Sequence, residues 1–363
     1  MPKTPSGFPT IRDVARLASV SVATVSAVIN AKGTASAEVR RRVEEAMLAL
    51  DYHPDHMARS LKTGRSKVVG LVIPDVTNPF FTEVMSGLES KARHRGYSVI
   101  LSNSNEDPAQ ERENLGMLYS QRVAGVVLAC TDAYAAHDRL ISRRFPIVFI
   151  DRLPQAGFTG RAVVVDNAGA AYEGIRHLIE LGHEHIAIIA GRLDSSVGIE
   201  RVEGFRKAMQ EANLLVSGNY FQQGDFSMES GYRCGLELLK LPEPPTAVFA
   251  CNNKMTLGLM RALTERGFSC PGDMSILSFD DFPWSSEFRP QLTALAQPAT
   301  EIGSQAMSML LSILEPESEE ARTITQQVVA LKATLKIRQS TAAPRRGLPA
   351  LQGPAVPAAL KRY

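Results

Sequence analysis

Four apolar runs in this chain end in side chains suited to holding a small molecule. Asp75 and Asn78 follow the run 67–74, with Phe80 just beyond them. Asp151 and Arg152 follow Ile147–Ile150, Asn252 follows Ala247–Cys251, and Asp280 follows Ser275–Phe279. Carboxylates and carboxamides make paired hydrogen bonds to vicinal hydroxyls or to a heterocycle, and a guanidinium offers a rigid fork. Any one of these residues could instead be a helix cap or a turn residue; four strand ends together favour a binding pocket. A second group sits near the N-terminus, where Thr24 and Ser26 supply short hydroxyls of the kind that bond phosphates or bases.

The elements that must position the first group are legible in the patterning. The runs 67–74, Ser98–Leu101, Gly125–Leu128 and Ile147–Ile150 alternate with helix-length segments such as Phe80–Arg95. The theme repeats after Asp166, with strands expected at Ile186–Ala190, Ala247–Cys251 and Ser275–Phe279. Continuous Val/Ile runs separated by helices predict parallel sheets covered on both faces, and such sheets bind ligands at the carboxyl ends of their strands. Two successive α/β lobes with a shared crevice are therefore expected over 67–340. The Pro/Ala/Gly-rich tail at 341–363 is expected to be disordered.

The second group belongs to an all-α head over 10–54, behind a flexible arm at 1–9. Thr10 with Asp13 reads as a capping box before Val14, Ala15 and Leu17. Ser21 caps a second short helix to Asn30, and Ser36 opens a third through Val39, Val43 and Met47. Two short helices joined by a tight turn and braced by a third form a helix-turn-helix, whose second helix offers its N-terminal residues to the major groove. A small bundle without a DNA role has the same spacing. The segment 55–66 reads as a hinge, either a plain linker or a stretch that folds on DNA with Leu61 as a minor-groove wedge between the cations Arg59 and Lys62.

Composition narrows the alternatives. Residues 1–67 carry 11 Lys/Arg against 6 Asp/Glu and the remainder 29 against 32, so a basic head sits on a slightly acidic body. That asymmetry suits a head that meets a polyanion. No run is long enough to span a bilayer, and the polar N-terminus has no export-signal pattern, so a cytoplasmic protein is expected. The four cysteines form no CxxC pair and read as small buried hydrophobes. His183-Glu184-His185 lacks the HExxH spacing, Gly191 and Gly198 make no phosphate-cradling motif, and no Ser/His/Asp set stands at recognisable spacing. Neither catalysis, a metal nor a cofactor is expected.

With these residues in place the sequence resembles the lactose-repressor (LacI/GalR) family. The matching segments are TIRDVARLASVSVATVSAVIN, DYHPDHMARSLKTGRSKVVGLVIPDVTNPFF and the FDD at 279–281, within a resemblance running from about Thr10 to Gln339. It implies a helix-turn-helix head on a two-lobed sensor resembling type I periplasmic binding proteins. It further implies a homodimer on a near-palindromic operator, with Leu61 inserting at its centre. DNA contacts are then expected from Thr10, Ser21, Val22, Ala23, Thr24, Ser26, Ala27 and Asn30, and from Met57, Arg59, Leu61 and Lys62 in the hinge. The implied effector set is Asp151, Ser195, Arg201, Phe226, Asn252 and Asp280, which suits a sugar more than a purine, although a ring with an Arg/Asp pair would also satisfy the latter. The readout positions depart from the family's usual polar or basic side chains. Val22, Ala23 and Ala27 can pack on thymine methyls but cannot clasp guanine. The tail has no leucine heptads, so a dimer is expected rather than a tetramer. The rival readings are a solute-binding protein without DNA function and a sugar-converting enzyme.

Overall fold

A computed structural model describes residues 9–29, 35–52, 66–131, 145–154, 158, 160–316 and 326–345. Asn30, Met57, Arg59, Leu61 and Lys62 lie outside them. The chain divides into two compact units, 1–67 and 68–363.

In the first unit α1 (Ile11–Leu17), α2 (Val22–Ile29) and α3 (Ala37–Ala49) enclose a small core of Val14, Ala15, Ala18, Val25, Val28, Val43 and Ala46. Helices this short are marginal alone, so burial of these side chains holds them. Thr10 donates its backbone N–H (2.9 Å) and its hydroxyl (2.6 Å) to the Asp13 carboxylate at the start of α1. The turn between α1 and α2 is made possible by Ser19 in the left-handed region, φ 53°. Arg42 of α3 fixes that turn by donating to the carbonyls of Ala18 and Ser19, which terminate α1.

The second unit contains two six-stranded sheets. Its elements in chain order are β1 (Val68–Ile73), α4 (Pro79–His94), β2 (Ser98–Asn103), α5 (Pro108–Ser120), β3 (Val126–Leu128), β4 (Ile147–Ile150), β5 (Arg161–Val165) and α6 (Asn167–Glu180). They continue with β6 (Ile186–Ala190), α7 (Ser196–Glu211), β7 (Phe221–Gln223), α8 (Met228–Leu239), β8 (Ala247–Ala250), α9 (Asn253–Glu265) and β9 (Ser275–Phe279). The last are β10 (Thr293–Ala296), α10 (Ala299–Leu314), β11 (Gln327–Leu331) and β12 (Thr334–Lys336).

The sheets run β11-β5-β4-β3-β1-β2 and β12-β10-β9-β8-β6-β7. Strand for strand this is one order used twice, so β4 of the first lobe corresponds to β9 of the second. All pairings are parallel except β12 on β10, which is antiparallel. That last strand corrects the expectation of wholly parallel sheets.

The lobes are also not consecutive in sequence. The chain crosses between them three times, at Val165–Asn167, Ala296–Ala299 and Leu331–Thr334. α10 packs in the first lobe's core with Phe81, Val84 and Leu88 of α4. Ala306, Leu310 and Leu311 are buried there because α10 is apolar on that side. The residues 341–345, expected to open a disordered tail, dock on the second lobe. Thr341 bonds His177 at 3.0 Å, Ala342 bonds His183 and Ser275, and Arg345 pairs with Asp273. His183 is thus a structural strut, bridging Thr246 and the Ala342 carbonyl, each at 2.8 Å. Cys130, Cys234 and Cys251 are buried and Cys270 is half-buried.

Candidate functional site

The head presents its second helix as the periodicity predicts. Val25 and Val28 face inward, while Ser21, Val22 and Ala23 are exposed and Thr24, Ser26 and Ala27 are half-buried. Ser21 caps α2, accepting from the Thr24 N–H at 3.0 Å, and the two hydroxyls pair at 2.8 Å. The exposed N-terminal turn therefore shows an apolar face, Val22 and Ala23, beside paired hydroxyls.

In the second unit a cavity of 390 Å³ opens between the lobes. Asp75, Asn78 and Asn252, which follow the ends of parallel strands, line it together with Phe226. Phe81 lines it and Phe80 does not, although both rings belong to the first lobe's core.

Asp151, Arg152, Ser195, Arg201 and Asp280 are buried and do not line that cavity. Asp151 and Asp280 hold corresponding places after β4 and β9. Both adopt left-handed backbone, φ 61° and 70°. Each donates its N–H to the next strand, Asp151 to Val163 at 3.1 Å and Asp280 to Leu295 at 3.0 Å. Phe226 is left-handed too, φ 71°. Non-glycine residues in this region cost about 1–2 kcal/mol each, and such strain persists where the surrounding structure holds it, often at binding sites.

Burial pushes the Asp151 carboxyl up to about 6, with Arg152 and Arg201 opposing the shift. Burial likewise raises Asp280, against Arg201 and a hydrogen bond from Gln297. Arg201 is fixed by donating to Asn167 Oδ1 at 2.9 Å and the Cys251 carbonyl at 2.6 Å, with its guanidinium 3.6 Å over the Phe279 ring.

Two sequence candidates serve chiefly as scaffold. Ser195 caps α7, accepting from Gly198 and donating to the Arg192 carbonyl. Asn252 caps α9 through Met255 N–H at 2.8 Å and ties down the Phe226 carbonyl at 2.8 Å. Phe226 in turn lies against Gly191, where a Cβ would meet the ring at 2.0 Å. The Arg152 guanidinium sits 5.3 Å from its centroid.

Residues that the sequence did not single out complete the cleft. Glu106 receives Arg152 in a fork, both bonds 2.7 Å, and its carbonyl accepts from Arg192 at 3.1 Å. Lys254 reaches across the lobes to Asp75 at 2.7 Å and Thr77 at 3.1 Å. Burial raises the Asp75 carboxyl, but the bonds from Lys254 and Thr77 outweigh it and hold it below its usual range. Asn253 donates to Asn78 Oδ1 at 2.9 Å, and Ser196 Oγ accepts from Leu153 N–H at 3.1 Å. The strand-end rule could have found Arg192, two residues past β6. Lys254 and Gln297 needed the second lobe's path.

A helix-turn-helix head on a two-lobed α/β body with a polar cleft defines a ligand-responsive transcription regulator. The chain belongs to the LacI family of bacterial regulatory proteins. Residues 10–55 match the family described as bacterial regulatory proteins, lacI family, and residues 175–341 match the periplasmic binding protein-like domain. The chain is 36% identical over 334 residues to the HTH-type transcriptional repressor PurR of Haemophilus influenzae (strain PittEE), covering 91% of this chain and 98% of that protein. The lac repressor dimer bound to operator and the anti-inducer ONPF superposes with TM-score 0.80 at 27% identity, covering 93% of this chain and 100% of that one. The transcriptional regulator CelR–cellobiose complex is similar at TM-score 0.69 and 28% identity, covering 92% and 100%. Among the described residues no helix is long and apolar enough to cross a membrane.

Proposed function

We propose that this LacI-family repressor acts as a cytoplasmic homodimer on a near-palindromic operator. In this reading it binds an uncharged, hydroxyl-rich effector, a sugar or sugar derivative, between its lobes, and it catalyses no reaction. The DNA-binding domain spans 10–54, the hinge 55–66 and the sensor 67–340. The observation that carries the effector class is the charge pairing of the cleft. Lys254 is paired with Asp75, Arg152 with Glu106, and Arg192 with Asp194. An anionic ligand would have to break one of these pairs, whereas hydroxyls can share the buried carboxylates of Asp151 and Asp280. The cellobiose-bound relative supports the same class. A purine is the second reading, favoured by the PurR relatives and by the Phe226 ring beside the Arg152 guanidinium.

Selection of bound sites from random DNA, with and without sugars and nucleobases, tests this. The expected result is a palindrome whose half-sites lie about one helical turn apart, with enrichment changed by one sugar. A response to nucleobases alone would establish the purine reading. A coupling of about 1–3 kcal/mol between the sites would change operator affinity roughly 5–150-fold. In the same selection Ala27→Arg is expected to shift one half-site position toward guanine, by about 1–3 kcal/mol of discrimination; an unaltered profile would remove Ala27 from the reading face.

Effector affinity should depend on pH through Asp151. Its raised folded-state pKa means that folding takes up a proton. The stability it contributes is full below the ordinary carboxylate pKa of about 3.9 and is lost as pH rises through about 6. A hydroxyl donor binds the ionised form. Affinity is therefore expected to rise from pH 5 to 7, by at most about tenfold per unit, and to level off above. Asp151→Asn should flatten the titration curve measured by calorimetry, and a flat wild-type curve would exclude the contact.

A further inference from the structure

We propose that Asn167 is a positioning residue for effector binding, whose side-chain amide holds the Arg201 guanidinium so that one of its nitrogens stays open to the effector. This rests on the reading of the inter-lobe cleft as the effector site, with Arg201 among its binding groups. Asn167 ends the first crossing, two residues past Val165 of β5, and opens α6. It is 1% exposed. Its Oδ1 accepts from Arg201 Nε at 2.9 Å. Its Nδ2 donates to Glu200 Oε2 at 2.9 Å and to the Val165 carbonyl at 3.1 Å. Turned over, the amide would set its oxygen against two acceptors and its nitrogen against a donor, so it has one usable orientation.

Glu200 and Arg201 are consecutive residues of opposite charge on α7, and Asn167 serves both. A carboxylate in its place would hold Arg201 but repel Glu200, and a cation would do the reverse. Arg201 commits Nε to Asn167 and Nη1 to the Cys251 carbonyl, and its Cζ lies 3.6 Å from the centroid of the Phe279 ring. A guanidinium is planar, so these contacts set the direction of its remaining nitrogen. Nη2 makes no hydrogen bond among the described residues, yet it is not one of the fully buried unpartnered atoms. A donor is thereby left for a ligand. The same cation acts on both Asp151 and Asp280, so an effector that shares those carboxylates meets a donor already in place. A binding group held in advance by a supporting residue spares the ligand the cost of ordering it.

The test uses the full chain, with calorimetry against D-glucose, D-ribose, cellobiose, adenine and guanine, and thermal unfolding alongside. Asn167→Ala removes the acceptor that holds Arg201. The expected result is a loss of about tenfold or more in affinity, per folded molecule, for the sugar bound by wild type, one 1.4 kcal/mol step. Combining Asn167→Asp with Glu200→Gln exchanges acceptor and donor at unchanged net charge and returns an acceptor to Arg201. That exchange should recover affinity to within about threefold of wild type, whereas Asn167→Asp alone, which sets two carboxylates together, should not. If neither single variant folds, the exchange decides by whether affinity returns together with Tm. Two results overturn the proposal: affinity within twofold of wild type in Asn167→Ala whatever its Tm, which makes the side chain structural only, or an exchange that regains Tm without affinity. If wild type binds only a nucleobase, the sugar reading fails, and the same variants judged with that base decide for or against Asn167. If wild type binds nothing in the panel, both readings fall.

Discussion

Arg201→Leu is expected to abolish the effector response and to lower the stability of the second unit by about 3–5 kcal/mol, the cost of stripping one partner from a buried charged cluster. Arg201 is 3% exposed. Removing it deprives the Cys251 carbonyl and Asn167 Oδ1 of their donors. It also takes away the positive charge that opposes burial at both Asp151 and Asp280. Those carboxyls should then protonate at higher pH still and bind hydroxyl donors less well. Effector affinity is expected to fall about 30-fold or more, while operator binding without effector persists in any fraction that folds. Calorimetry and thermal unfolding check both arms. A variant with wild-type Tm and affinity would show that the guanidinium neither supports the fold nor tunes the carboxylates.

Gly303→Leu should unfold or severely destabilise the first lobe. A Cβ at Gly303 would stand 1.9 Å from the Val84 carbonyl, and one at Gly87 2.0 Å from the Thr300 carbonyl, so α4 and α10 meet backbone to backbone. Backbone cannot rotate away as a side chain can, so the cost should reach or exceed the upper end of ordinary overpacking, about 3 kcal/mol, with a Tm loss of several degrees. Gly116 on α5 is the control. It has no heavy atom within 4 Å of a new Cβ, and Gly116→Ala should be neutral or stabilising by up to about 1 kcal/mol. Equal stability losses at both positions would refute the close-approach explanation. The pair adjoins the second crossing between the lobes, since α10 begins at Ala299, two residues after Gln297. A rigid α4–α10 pair would carry a displacement of that crossing into α4 without absorbing it between the helices.

The Asp281 cluster illustrates a role hidden from the linear pattern. Asp280 of the FDD run accepts from Gln297, whereas Asp281 turns to Arg338 and Lys336, each at 2.8 Å. Burial would raise its carboxyl, but bonds from Arg338, Lys336 and Ser285 hold it well below the carboxylate range. Two adjacent aspartates thus have separate partners, the first Gln297 of the second crossing and the second the chain just after the third crossing, at β12.

Periodicity determined most of the elements by itself. Apolar spacings of three and four fixed the head's helices, and Val/Ile runs fixed β4, β6 and β9 to the residue, because burial on both faces demands continuous apolar side chains. The rule that ligands meet the carboxyl ends of parallel strands picked out Asp75, Asn78 and Asn252, which line the cavity, and also Asp151 and Asp280, which are buried and do not line it. Five strands escaped notice: β5, β7, β10, β11 and β12. No residue of β7, β11 or β12 is fully buried, so these three carry no buried run to read. The triple crossing escaped because which sheet accepts β11 or β12 depends on backbone pairing with strands distant in sequence, such as Thr334 with Ala296 and Gln327 with Arg161. Only the tertiary structure could bring Lys254 to Asp75, Arg192 to Glu106 and Gln297 to Asp280. Hydrogen bonds are decided by distance and direction in space, and a linear pattern fixes those only within one helix or strand.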